Sequence, residues 1–230
     1  MRTRLLAIKK SLRPSWLSAL NKWTRSRMKL GRLAREFGLG GVSSNPLLGH
    51  KRSDTLFVLG SGSSINQLRP EDWAAIAAAD SIGFNYWLLN DFVPDHYMFE
   101  PHLPFEATSW LMHNFRLRGQ PYLTMPIIMK DGERYRPSEL ASLFQDIPPE
   151  IRKNVILSWD WEIQSEDAGM FARKLDRLDR LGILSGNRFP ALRKRASVCF
   201  ITMLAMRAGY RKIVLCGIDL NNADYFYARN

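Results

Sequence analysis

The sequence predicts an α/β fold: a Rossmann-like, mostly parallel sheet with flanking helices, preceded by a basic amphipathic N-terminal helix. Three observations predict it. From Asp54 onward, apolar runs of four or five residues alternate with longer stretches of helical character. The runs are continuous, as in strands buried on both faces, and do not alternate with polar residues. Small and polar residues gather at the ends of four of them: Gly60–Ser64, Asn85, Glu100 and Gly217-Ile218-Asp219. A chain of 230 residues with 46% hydrophobic content can hold one such domain plus an appendage.

The appendage comes first. Leu5, Ile8, Leu12, Trp16, Leu20 and Trp23 recur at spacings of three and four, with Lys and Arg between them, so residues 1–37 read as a basic amphipathic helix. Pro14 breaks or kinks it near Leu12. The net charge of +11 is concentrated here. Residues 1–53 carry 13 Lys/Arg and one acid, Glu36, whereas residues 54–230 carry 20 Lys/Arg and 21 Asp/Glu. The body is therefore neutral, and the charge gives no case for nucleic acid as a partner of the domain. Tryptophans among basic residues suit an anionic membrane surface; a helix docked on the body is the alternative. Residues 38–53, rich in Gly, Ser and Pro, read as a linker.

The domain spans residues 54–230. Leu56–Leu59 is the first strand, and Pro70–Ala79 a short helix with Glu71 and Asp72 in its first turn, where the helix dipole favours acids. Ser81–Phe84 and His96–Phe99 are the next strands. Tyr122–Met129 and Asn154–Ser158 are further candidates. Pro190–Ala208 reads as one long helix closed by Gly209, and Ile213–Cys216 as a buried strand. Cys199 and Cys216 sit in apolar runs and read as buried free thiols, which fits a reducing cytoplasm. There is neither an apolar run of 18 residues nor a secretory h-region.

Open parallel sheets bind ligands beyond the C-terminal ends of their strands. That rule selects Gly60, Ser61, Gly62, Ser63 and Ser64 after the first strand, Asn85 after the second, Glu100 after the third, and Gly217 and Asp219 after the last. The dinucleotide fingerprint fails, because Ile65 stands where its third glycine belongs, and no Gly-Lys-Ser/Thr follows the turn. What remains is a turn with free N–H groups and hydroxyls, enough for one phosphate or a ribose. Ser197, after Arg193-Lys194-Arg195, is placed to cap its helix or to offer an anion the helix N-terminus; a solvated basic turn is the alternative. No D-x-D occurs. Asp160 and Glu162 in SWDWE read as a solvated loop, and the four histidines lack metal-ligand spacing. No metal is therefore expected. His102 lies just past the third strand, within reach of the site or simply on the surface.

The strings TLFVLGSGSSI, SIGFNYW, HYMFEP and RASVCFITMLAMRAGYRKIVLCGIDLNNADYFY together resemble the bacterial sialyltransferases of glycosyltransferase family 42, over roughly residues 54–230. The resemblance implies a GT-A-variant domain and metal-independent, inverting transfer of a nonulosonic sugar from a CMP-sugar donor, with no further cofactor. The acceptor would be a lipid-linked or surface glycan, as in lipopolysaccharide or capsule biosynthesis. It also implies that Gly60, Ser61, Gly62 and Ser64 cradle the CMP, that Asn85 contacts the donor, and that Ser197 faces its carboxylate or base. Asp219, Asn221 and Asn222 would lie under the nucleotide, and Tyr225 and Tyr227 near the departing phosphate. This sequence departs from the pattern at Ser61, Ser63, Glu100 and Asn221. A carboxylate at Glu100 would repel an anionic donor. No histidine follows His113, so the family's catalytic histidine has no counterpart, and Glu100 or His102 is left as the candidate base.

Two other readings remain at this stage. One is a pterin diphosphokinase-like enzyme using ATP and magnesium. The other is a catalytically inactive nucleotide-binding protein lacking the C-terminal base. The aromatic ending DYFYARN is expected to be covered, either by further chain or in a homo-oligomer. The expected location is cytoplasmic, peripheral on the inner face of the membrane.

Overall fold

The computed structural model describes residues 15–101, 105–130, 135–145, 147–158, 160–162, 167–180, 191–193, 196–219 and 224–228. Its centre is a seven-stranded, all-parallel sheet. The strands are β1 (Gly41–Ser43), β2 (Thr55–Leu59), β3 (Asp80–Phe84), β4 (His96–Phe99), β5 (Ile127–Met129), β6 (Val155–Ser158) and β9 (Lys212–Cys216). A separate parallel pair is formed by β7 (Asp160–Glu162) and β8 (Ala191–Arg193). The large sheet runs β1-β6-β5-β4-β3-β2-β9. From β2 to β6 the chain steps steadily one way, and β9 then returns on the other side of β2. Winding direction therefore reverses between β2 and β9, which is where such sheets open a crevice.

Side chains leave the sheet alternately towards two cores. Tyr97, Phe99, Ile127, Met129, Val155 and Leu157 face one, and Leu56, Val58, Ile82, Met98 and Ile128 face the other. The first core is covered by α1 (Ser15–Phe37), α2 (Pro70–Ala77), α3 (Phe105–Arg118), α4 (Pro137–Gln145) and α5 (Pro149–Arg152). The second is covered by α7 (Ser197–Arg207), through Phe200, Ile201, Leu204 and Ala205. A further helix, α6 (Ala168–Arg180), lies between β7 and β8 in the chain.

Local chemistry explains the element ends. In α2, Pro70 takes the first turn, where no N–H is needed, and Asp72 accepts the Arg69 N–H at 3.0 Å. Helix α7 stops at Gly209, whose φ of +79° lets the Gly209 and Tyr210 N–H groups turn back onto Met206 and Ala205.

Several sequence expectations are corrected. The stretch 38–53 is not a bare linker. It contributes β1, and Leu47 is buried. Asn45 donates to the Leu204 carbonyl at 3.1 Å, pinning this stretch to α7. Arg52 and Ser53 then donate their N–H groups to the buried Asp80 carboxylate at 2.8 and 3.1 Å. The expected N-terminal helix is present from Ser15, and residues 1–14 lie outside the described residues. Its C-terminal half is part of the core through Leu30, Leu33 and Ala34. The strand expected over 122–129 starts only at Ile127, because a 3-10 turn, Gln120–Tyr122, precedes it. Where one long helix is expected from Pro190, the described residues are β8 and, from Ser197, α7. Ala196, at φ +62°, cannot be helical. The Asp160–Glu162 stretch is a strand and not a loop. β9 is not a buried strand: it lies at the edge of the sheet with Lys212 and Leu215 exposed, and of the two thiols expected to be buried Cys199 is exposed and Cys216 half-buried.

Candidate functional site

The C-terminal ends of β2, β3, β4, β5 and β9 form one edge of the sheet, and most predicted site residues lie there. At the reversal point the ends of β2 and β9 meet backbone to backbone. The Gly60 N–H donates to the Cys216 carbonyl and the Gly62 N–H to the Gly217 carbonyl, each at 2.8 Å. Glycine is required on both sides of this contact. A Cβ on Gly217, which already sits at φ +65°, would come within 2.6 Å of the Gly60 carbonyl oxygen, and one on Gly62 would strike the Asp219 carboxyl.

Asp219 organises the turn. Its carboxylate accepts the Ser64 hydroxyl at 2.5 Å and the Ser64 N–H at 3.0 Å. Those two bonds hold its carboxyl below the usual carboxylate range. The Ser63 N–H donates to Asp224 at 3.1 Å. Of the N–H groups from Gly60 to Ser64, only that of Ser61 has no partner among the described residues. The expectation of a turn with free N–H groups is therefore corrected. An internal carboxylate and carbonyls already occupy most of the donors, because β9 ends directly beside them. The recess presents Ser61 and a carboxylate held by Ser64. That set matches a ligand's hydroxyl groups better than a phosphate cradled by amides alone.

The second half of the edge centres on Glu100. Asn85 follows β3 in left-handed conformation, φ +52°, and its side-chain oxygen accepts the Glu100 N–H at 3.3 Å. The Tyr97 hydroxyl donates to the Asn85 carbonyl. One Glu100 carboxylate oxygen accepts both the Ser197 hydroxyl at 2.7 Å and the Lys130 ammonium at 2.8 Å. Lys130 follows β5 directly and its side chain is 1% exposed. Its ammonium also lies 5.8 Å from the Phe200 ring centroid. Asn85 and Ala196 are the two described non-glycine residues with positive φ, and both adjoin this network. For Ala196 such a conformation costs on the order of 1–3 kcal/mol, a kind of strain that concentrates at functional sites.

Two sequence expectations change accordingly. Ser197 does not cap α7; it donates to Glu100, whose carboxylate is the anion beside the α7 N-terminus. Nor does Glu100 face the site as an unpaired charge, because Lys130 is paired with it. Sequence reasoning missed Lys130, although the strand-end rule applied to β5 points straight at it.

Tyr225 and Tyr227 reach the same edge through an antiparallel backbone bridge between Gly62 and Tyr225. Their rings stack at 5.1 Å. Burial, then the neighbouring Tyr225 and Tyr86, push the Tyr227 phenol up to about 12, so it keeps its O–H at neutral pH. His102, Asn221 and Asn222 lie outside the described residues. Among the described residues no group of three His, Cys, Asp or Glu is arranged to hold a metal ion, and no helix is long and apolar enough to cross a membrane. No family model matches the chain, and no curated protein is detectably similar to it.

Proposed function

We propose that this chain is a metal-independent, inverting glycosyltransferase of the sialyltransferase-like kind, moving a nonulosonic sugar from a CMP-sugar to a lipid-linked or surface glycan. The observation that carries the transferase reading is the edge itself. A buried lysine, a carboxylate, a serine and two residues of positive φ converge at the ends of β3, β4 and β5, on the same edge as the point where strand order reverses. The cytidine and nonulosonic parts rest on the sequence resemblance.

In this reading Asp219 receives ribose hydroxyls, and the Ser61 N–H and the tyrosine hydroxyls meet the phosphate. The acceptor hydroxyl oxygen bonds to the anomeric carbon as the bond from that carbon to the phosphate oxygen breaks. CMP leaves with the electron pair. The acceptor proton passes to Glu100, which Lys130 and Ser197 hold in place. The basic N-terminal stretch is assigned to an anionic membrane surface, placing the protein peripherally on its cytoplasmic side.

Thermal unfolding with CMP, CDP, UDP and ATP, each with and without magnesium, tests the nucleotide. Saturating CMP should stabilise by about 2.7 kcal/mol at a hundredfold excess over Kd, a rise of roughly 5–10 °C, whether or not magnesium is added. A rise with ATP that requires magnesium would favour the diphosphokinase-like reading. No rise with any of them would overturn the transferase reading and leave a non-catalytic protein.

A further inference from the structure

Four aromatic side chains form a continuous row on the ligand-binding edge. Tyr225 stacks on Tyr227 at 5.1 Å between centroids; Tyr227 meets Tyr86 at 5.8 Å, and Tyr86 meets Trp110 at 5.6 Å. The row begins at the Gly62 bridge, passes Tyr86 immediately after Asn85, and ends on α3. Its two ends are open to solvent, Tyr225 at 50% and Trp110 at 43%. They are the only aromatic side chains among the exposed large hydrophobic residues described. Exposing rings of this size is costly unless something covers them.

We propose that this row is a saccharide-binding platform. Under the transferase reading, on which its role but not its ligand class depends, it seats the acceptor glycan beside the donor. Three features select that ligand. Tyr86 and Trp110 carry the row two rings beyond Tyr225 and Tyr227, which border the turn that would hold a nucleotide, so a single base cannot fill it. Its members are flat apolar faces edged with O–H and N–H groups, matching the apolar faces and hydroxyls of pyranose rings. The domain that carries the row is neutral, with 20 Lys/Arg and 21 Asp/Glu over residues 54–230, whereas platforms for single-stranded nucleic acid pair their rings with a cationic groove.

The test uses the full chain with maltotriose, chitotriose and lactose as probes, read by saturation-transfer NMR on the sugar protons. The wild type should transfer saturation to ring protons of at least one probe. Trp110→Ala and Tyr225→Ala should each weaken that affinity about tenfold. Trp110→Tyr should restore most of it. Leu117→Ala should leave it unchanged, since Leu117 is still more open on the same helix, at 70% exposure, but outside the row. The proposal is overturned if no probe receives saturation from the wild type at millimolar concentration. Equal signals from all variants, or displacement of the sugar by a thymidine oligonucleotide, would overturn it too. Circular dichroism checks that each variant is folded. The CMP shift is measured on the same samples: sugar binding without a CMP response would sink the transferase reading and keep the platform, and the reverse would sink only the platform.

Discussion

Lys130 is the residue whose removal the site should feel most. It is buried, and its ammonium sits 2.8 Å from the Glu100 carboxylate. Lys130→Met should cost about 3 kcal/mol in denaturant unfolding, because the mostly buried Glu100 carboxylate, 15% exposed, loses the Lys130 charge. Lys130→Met combined with Glu100→Gln should recover a large part of that loss. Equal or greater loss in the double variant would show that the pair is not coupled in this way. At this scale the sequence was legible at the polar strand ends Asn85, Glu100 and Asp219, though not at Lys130, which follows β5. It was not legible which polar groups would satisfy one another. The strings contain Ser64 and Asp219, or Glu100 and Ser197, far apart, and only the closed sheet reveals that each pair is already bonded.

At the scale of elements, α1 divides in two. Leu30, Leu33 and Ala34 pack into the core, and the Lys29 ammonium donates to the Tyr135 carbonyl at 2.8 Å. Apolar residues of the C-terminal half are therefore committed to the body, and the proposed membrane contact is assigned to the stretch before them. Sedimentation with vesicles should show binding when they contain about 30% anionic lipid and little with neutral lipid. Binding should fall steeply between 50 and 300 mM salt as the Debye length shortens. Salt-independent binding, or none to anionic vesicles, would refute the assignment. The sequence marked the helix because its period is local. It hid β1, because three residues without a repeating pattern become a strand only when the edge of β6 is offered to them.

At the scale of the whole molecule, the opposite edge of the sheet is a structural clamp. Burial alone would push the Asp80 carboxyl up. The Arg52 and Ser53 N–H groups, the Tyr210 hydroxyl and the Arg52 guanidinium together outweigh burial and hold it low. Beside it His96, 1% exposed, has neither ring nitrogen hydrogen-bonded. Burial pulls it down to about 4, with Asp95, His50, Asp80 and Arg52 as lesser neighbours. Unfolding raises it to about 6.5, so between these values the unfolded chain binds more protons. Stability should be complete above pH 6.5 and fall by about 3 kcal/mol as pH drops to 4, with no further loss from this group below that. His96→Leu should remove this slope while the rest of the acid transition remains. An unchanged slope in denaturant titrations from pH 7 to 4 would exclude His96 as its source.

The pairing of β1 with β6 also governs the order in which the fold can be made. Gly41 lies opposite Ile156, and Thr55 opposite Lys212. During translation, at roughly 5–20 residues per second, β1 must wait on the order of ten seconds for its neighbour, and β2 longer for β9. β1 cannot dock until Ser158 has been made, and β9 follows only after Cys216. Both edges of the growing sheet stay open in that interval, and Leu30 and Leu33, the first core residues among those described, emerge long before the surface they cover. Long-range closure of this kind is the slow, aggregation-exposed step of folding. Docking of β9 is also what first brings the Gly62–Ser64 turn to Asp219, so the proposed site and the closed sheet arrive together.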